Sequence, residues 1–198
     1  MVEPLNAFGI DVACLGNHDF DFGVNRLINL MSQCKFPWLL SNVFDRNTGQ
    51  PVAGAKEYVI INKAGYKIGI FGLAEIEWLE TVHIPQEDIE FIDFVETART
   101  LTKFLREKED CDLVIAITHM RVPNDEKLAK EFSDIDIILG GHDHIRYTQQ
   151  INGTYIIKSG TEFKEFSKIT LEPICNENGT INAEKEIYKG KFYAKIEN

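Results

Sequence analysis

Six residues of this sequence have the chemistry to hold a cation or move a proton, and they fall in three groups. Asn17, His18 and Asp19 lie in Leu15–Gly23, which reads LGNHDFDFG and follows the apolar run Val12-Ala13-Cys14-Leu15. His119 comes directly after Thr118, behind the run Leu113–Ile117. His142 and His144 belong to Gly140-Gly141-His142-Asp143-His144, behind Ile135–Leu139. Each group stands at the carboxyl end of a short β-branched run, the pattern of a buried strand. Three such strand ends meeting would bring one amide, four imidazoles and one or two carboxylates to one sheet edge. That donor set suits a hard or borderline divalent ion such as Mn²⁺, Zn²⁺ or Fe. Gly140 and Gly141 allow a sharp turn and close backbone approach to an ion. Alternation along an extended chain would send His142 and His144 the same way. A lone histidine at a strand end reads by itself as structural or exposed, so His119 becomes a candidate ligand only through the company of the other two groups. Asp21 and Asp143 read as loop groups or as carboxylates that hydrogen-bond a ligand histidine. His83 matches no group and reads as a surface residue.

The elements that must position these groups alternate in the first half of the chain. Val12–Leu15 reads as a strand. Gly23–Ser32 carries Val24, Leu27, Ile28 and Met31 at helical spacing, and Trp38–Leu40 is a second short strand. Asp45–Ala55, rich in Gly, Asn, Thr and Pro, reads as a loop. Glu57–Asn62 and Tyr66–Leu73 flank Lys63-Ala64-Gly65 as a hairpin. The acidic and aromatic stretch with Glu75, Glu77, Trp78 and Glu80 is open to two readings, a substrate-facing loop or a solvated surface loop, and the second is favoured. Asp93–Lys108 is predicted helical, Leu113–Ile117 a strand, Asn124–Phe132 a helix and Ile135–Leu139 a strand. Gln149–Ile151, Tyr155–Lys158, Lys168–Glu172 and Glu186–Tyr193 read as antiparallel strands. Alternation in front and strands behind predict two stacked sheets with helices outside.

The chain of 198 residues is 44% hydrophobic and 26% charged, ordinary globular values for one domain. No stretch is long enough to span a membrane. A formal charge of −10 argues against nucleic acid as a general partner. It does not argue against a small phosphate ester, because a bound metal supplies positive charge locally. The cysteines Cys14, Cys34, Cys111 and Cys175 show neither C-x-x-C spacing nor a disulfide framework, which mildly favours a reducing, cytoplasmic setting. The sequons Asn152-Gly153-Thr154 and Asn178-Gly179-Thr180 read more readily as hairpin turns than as glycosylation sites.

The order of the three groups resembles the calcineurin-like metallophosphoesterases, most closely their 5′-nucleotidase branch. That family is marked by D-x-H, G-D, G-N-H-[DE], a lone H and G-H-x-H. The third motif stands here at Gly16–Asp19, the fourth at His119 and the fifth at Gly141–His144. Asn17–Gly23 is similar to the N-H-E-F-D-x-G of the nucleotidases, and the resemblance runs from about Leu5 to Leu171. It implies a layered α/β/β/α sandwich. Neither D-x-H nor G-D precedes Gly16, so the resemblance implies a single domain over residues 1–198 that lacks its first strands, with no nucleoside-binding domain behind it. An unpaired sheet edge would follow, and with it a route to oligomers.

By resemblance, Asn17, His119 and His142 bind one metal and His144 reaches a second. His18 is not a ligand but stabilises charge on the phosphoryl or leaving oxygen, and Asp19 orients and charges it. The implied cofactors are divalent ions (Mn, Zn, Fe, Co or Mg), two in an intact member and one or none here, since the ligands of D-x-H and the bridging Asp are missing. The implied activity is hydrolysis of a nucleotide phosphate ester in the parent protein. Cyclic nucleotides, nucleotide sugars and phosphoproteins are the other substrates weighed. The opposing reading is an inactive fragment that serves as a binding or dimerisation module.

Overall fold

The computed structural model describes residues 1–82, 84–173 and 192–197. His83, Cys175, the sequon at Asn178 and most of the strand predicted at Glu186–Tyr193 lie outside the described residues. The helices are α1 (Val2–Ala7), α2 (Val24–Met31), α3 (Phe94–Glu107) and α4 (Val122–Glu131). The strands are β1 (Ala13–Cys14), β2 (Trp38–Leu39), β3 (Val43–Asp45), β4 (Gln50–Pro51), β5 (Tyr58–Lys63), β6 (Tyr66–Ala74) and β7 (Ile89–Phe91). They continue with β8 (Leu113–His119), β9 (Ile137–Gly140), β10 (Arg146–Ile151), β11 (Thr154–Ser159), β12 (Lys168–Pro173) and β13 (Phe192–Glu197).

Six strands form the main sheet in the order β10-β11-β9-β8-β6-β5, parallel from β11 through β6 and antiparallel at both edges. Its strands alternate between two apolar layers, as a pleat requires. Phe71, Leu73, Val114, Ala116, Ile138 and Ile156 face the stripe of α3 and α4 that carries Ala98, Leu101, Leu105 and Leu128. Asp93 starts α3 by accepting the Val95 N–H at 2.8 Å. A proline, Pro123, stands in the first turn of α4, where its missing N–H costs nothing. On the other face the small parallel sheet β1-β2 crosses β6 and β8, and Leu15, Phe20, Leu27, Leu40, Ala74 and Trp78 form the second core beneath α2. The two sheets meet at Gly72, where a Cβ would lie 2.7 Å from that of Leu39. Helices, sheet, second sheet, helix is the layered order expected from the alternation.

Four expectations need correction. Residues 45–55 are not all loop: β4 folds back on β3, and β7 pairs with its other side. Only Ala13 and Cys14 of Val12–Leu15 are strand, and α4 begins at Val122 rather than Asn124. The stretch after Ala74 is not a solvated surface loop. Glu75 and Trp78 are buried at 0% and 2% exposure, because the chain turns there in a short 3-10 helix and packs back on the second core.

Candidate metal centre

The parallel registers bring three strand ends level. Ala74 pairs with His119, and Thr118 pairs with Gly140. Neighbouring residues point to opposite faces, so Thr118 and His119 separate. The Thr118 hydroxyl goes to the helix face and donates to Asp125 Oδ1 at 2.6 Å. His119 goes to the face of β1, and its ring lies flat against the backbone of Gly16. A Cβ at Gly16 would stand 2.6 Å from ring atoms. Gly16 has φ −117° and ψ 173°, a conformation open to any residue, so space alone demands glycine.

Directly after Gly16 the chain enters a 3-10 turn, Asn17–Phe20. Asn17 Oδ1 lies 2.9 Å from His119 Nε2, which lies 3.2 Å from His142 Nδ1. Two donors bound to one ion at about 2.0–2.2 Å stand roughly 3 Å apart, so these edges are those of a coordination face. Three atoms with lone pairs face one another there and share few protons, an arrangement a cation satisfies. Among the described residues no three His, Cys, Asp or Glu side chains form such a group, and the amide of Asn17 supplies the third donor. Burial lowers the His119 pKa to about 4, and burial also lowers that of His142, so both imidazoles are neutral and free to ligate at pH 7.

His18 and His144 stand apart from this trio. His18 is 75% exposed, and its Nδ1 is 3.0 Å from Asp21 Oδ2. Asp19, expected to orient His18, instead accepts the Gly16 N–H at 2.8 Å and closes the turn from inside, where burial raises its pKa. In a 3-10 turn residues three apart eclipse, which places Asp21 rather than Asp19 beside His18. His144 is exposed. His142 and His144 have φ of 75° and 56°, so the chain is not extended and the alternation argument for aiming both alike fails.

Two buried charges missing from the sequence reading hold the trio. Glu75 Oε2 accepts the Arg121 N–H and the Asn124 side-chain N–H, both at 2.8 Å. Its Oε1 has no well-aligned hydrogen bond but lies 3.3 Å from His142 Nε2 and 3.2 Å from Arg121 Nη1. Lys158 is 2% exposed and ties the other side. Its ammonium donates to the carbonyls of Met120 and Gly141, each at 2.6 Å, and pairs with Asp125 at 2.8 Å and Asp143 at 3.0 Å. Asp143 also accepts the Val122 N–H at 2.7 Å. Two carboxylates share one ammonium in a buried place, and burial raises Asp125 to about 6. Glu75 had a signal: it too is a polar residue ending an apolar run. Lys158 had one in its parity, two residues after Ile156.

A family model described as calcineurin-like phosphoesterase matches residues 1–146. A 5′-nucleotidase of Vibrio vulnificus is 30% identical over 193 residues, covering 79% of this chain and 34% of its own length. The trifunctional nucleotide phosphoesterase protein YfkN of Bacillus subtilis is 28% identical over 227 residues, 99% of this chain and 14% of its own. This chain therefore spans about a third or less of these relatives. Among solved structures, the calcineurin-like phosphoesterase YfkN of Bacillus subtilis superposes with a TM-score of 0.78 at 20% identity, covering 99% of this chain and 66% of that one. The NAD nucleotidase of Haemophilus influenzae gives 0.70 at 24% identity, over 80% of this chain and 35% of that one.

Proposed function

This chain belongs to the calcineurin-like phosphoesterases, and from that premise we propose that it carries the metal-binding half of a phosphoesterase acting on a nucleotide. The observation that supports this reading is the donor face of Asn17 Oδ1, His119 Nε2 and His142 Nδ1, with edges of 2.9 and 3.2 Å. Asn17, His119 and His142 would hold one divalent ion, and His144 would reach a second. A bound divalent ion supplies a Lewis acid for the phosphoryl oxygens and a water of lowered pKa. His18 stands at the open side with Asp21 behind it, where an imidazolium can meet a phosphoryl oxygen or give its proton to a leaving oxygen. The nucleotide as substrate class is supported by relatives named 5′-nucleotidase, NAD 5′-nucleotidase and nucleotide phosphoesterase.

The test is a panel of phosphate esters on the full-length protein with Mn²⁺, Zn²⁺ or Co²⁺. Hydrolysis of nucleoside monophosphates that needs added metal is expected, and His119→Ala is expected to abolish metal uptake and turnover together. Absence of metal-dependent hydrolysis across nucleotides, cyclic nucleotides, nucleotide sugars and phosphopeptides would overturn the reading.

A further inference from the structure

The turn after β6 touches the donor trio at both ends through polar atoms. At one end the Asn17 Nδ2 amide donates to Thr81 Oγ1 at 3.3 Å. The Thr81 hydroxyl spends its own proton on the Trp78 carbonyl at 2.8 Å, so toward Asn17 it can only accept. The amide must then present its NH₂ to Thr81 and its oxygen to His119. At the other end Glu75, fully buried, faces His142 Nε2 at 3.3 Å. A carboxylate offers no proton, so its nearness favours the tautomer with the proton on Nε2, which turns the lone pair of Nδ1 toward His119.

We infer that Glu75 and Thr81 are positioning residues that choose which atoms of His142 and Asn17 face the metal: Glu75 by fixing the imidazole tautomer, Thr81 by fixing the amide. This rests on the metal-binding reading above and adds to it the groups that prepare the donors before any ion arrives. A buried carboxylate behind a ligating imidazole both orients the ring and strengthens it as a donor.

Glu75→Gln is the decisive substitution, because the surroundings dictate how the new amide sits. The Arg121 and Asn124 N–H groups both donate to the Oε2 position, against the single Arg121 guanidinium contact at Oε1, so the glutamine oxygen is expected at Oε2. The NH₂ then takes the Oε1 position and donates toward His142 Nε2. The ring must move its proton to Nδ1, which aims an N–H at the donor face in place of a lone pair. The shape is unchanged and only the protons are reversed.

The experiment reads ring nitrogens by ¹⁵N NMR at pH 8 in the metal-free chain, then titrates Co²⁺ by visible absorption. The wild-type chain is expected to show His142 with its proton on Nε2, and Glu75→Gln the reverse, with Co²⁺ affinity lower by about 10–100-fold. Thr81→Val is expected to weaken Co²⁺ about tenfold while leaving the His142 tautomer alone. A wild-type His142 protonated on Nδ1, or a Glu75→Gln chain with unchanged tautomer and affinity, overturns the inference. Because the tautomer is read without metal, proton reversal in Glu75→Gln together with a wild-type chain that binds no Co²⁺ sinks the metal-binding reading and leaves the role of Glu75 standing.

Discussion

His119 and His142 differ from His18 and His144 in what lies behind them. The first pair is half-buried and backed by buried groups: the Gly16 backbone, the Glu75 carboxylate and the Lys158 network that ties the Met120 and Gly141 carbonyls. The second pair stands in solvent, His18 with one exposed carboxylate and His144 on a residue at positive φ. A ligand that must be ready before an ion arrives loses affinity for every freedom left to it, so preorganisation belongs behind the donors. A proton donor that must follow a reacting oxygen is better left mobile. Backed and exposed side chains thus lie within a few residues of sequence, Asn17 beside His18 and His142 two before His144.

The sharpest way to break this contrast is to remove the cation under the held pair. Lys158→Met leaves the buried Asp125 and the half-buried Asp143 without a counter-charge, and breaking a buried pair by removing one partner costs about 3–5 kcal/mol. For a chain of this size the thermal midpoint should fall by roughly 6–20 °C, read by circular dichroism. A midpoint within a degree of wild type would show that the network holds nothing.

Asp125 separates charge from packing in the same network. Its folded pKa, raised from 3.8 to about 6, means the folded protein binds that proton more tightly than the unfolded chain. The stability it contributes is complete below about pH 4 and is lost as pH rises through about 6, on the order of 2–3 kcal/mol. Asp125→Asn can turn its oxygen to Lys158 and its NH₂ to the Thr118 hydroxyl oxygen, and it leaves Lys158 one carboxylate for one ammonium, so it should lack that loss. Denaturant unfolding from pH 4 to 7.5 should show the wild type falling toward the variant, and parallel curves would count against the shared-ammonium account.

Gly16→Ala tests the space beside His119. With ring atoms 2.6 Å from the new Cβ, the imidazole must move, at a cost of about 1–3 kcal/mol, and Co²⁺ binding should weaken with it. Loss of stability with undiminished binding would mean that the ring has room to spare. The smallest effect belongs to the loose pair. Asp21→Asn removes the partner of an exposed histidine and should change stability by less than about 0.5 kcal/mol. A larger change, measured by urea unfolding, would place His18 among the held residues after all.

The parallel strands were legible because strands covered on both faces read as unbroken apolar runs. Leu113–Ile117 and Ile135–Leu139 are of that kind. Short pieces such as β4 were not, since Gln50 and Pro51, two residues directly after Gly49, carry no period. Of the site, the motif residues stood out by type and order, but their partners did not. What faces Glu75 is Arg121, Asn124 and His142 from far along the chain, and no local pattern records those neighbours. An acidic, aromatic segment looks like surface until Arg121, Asn124 and His142 are in place against it. The His18 partner was missed for a smaller reason: the strand end runs into a 3-10 turn, whose spacing of three replaces the neighbour-to-neighbour logic applied to Asp19.

The level finish of β6, β8 and β9 gives the site a counting rule. Because Thr118 and His119 leave the same strand on opposite sides, deleting one residue from within β8 would exchange their destinations, sending the imidazole under α4 and the hydroxyl toward Asn17. Losing two residues would restore the side but withdraw the ring by about 6.5 Å. The interior of each strand is therefore written in a code where an odd edit changes what the sheet does and an even one changes only where.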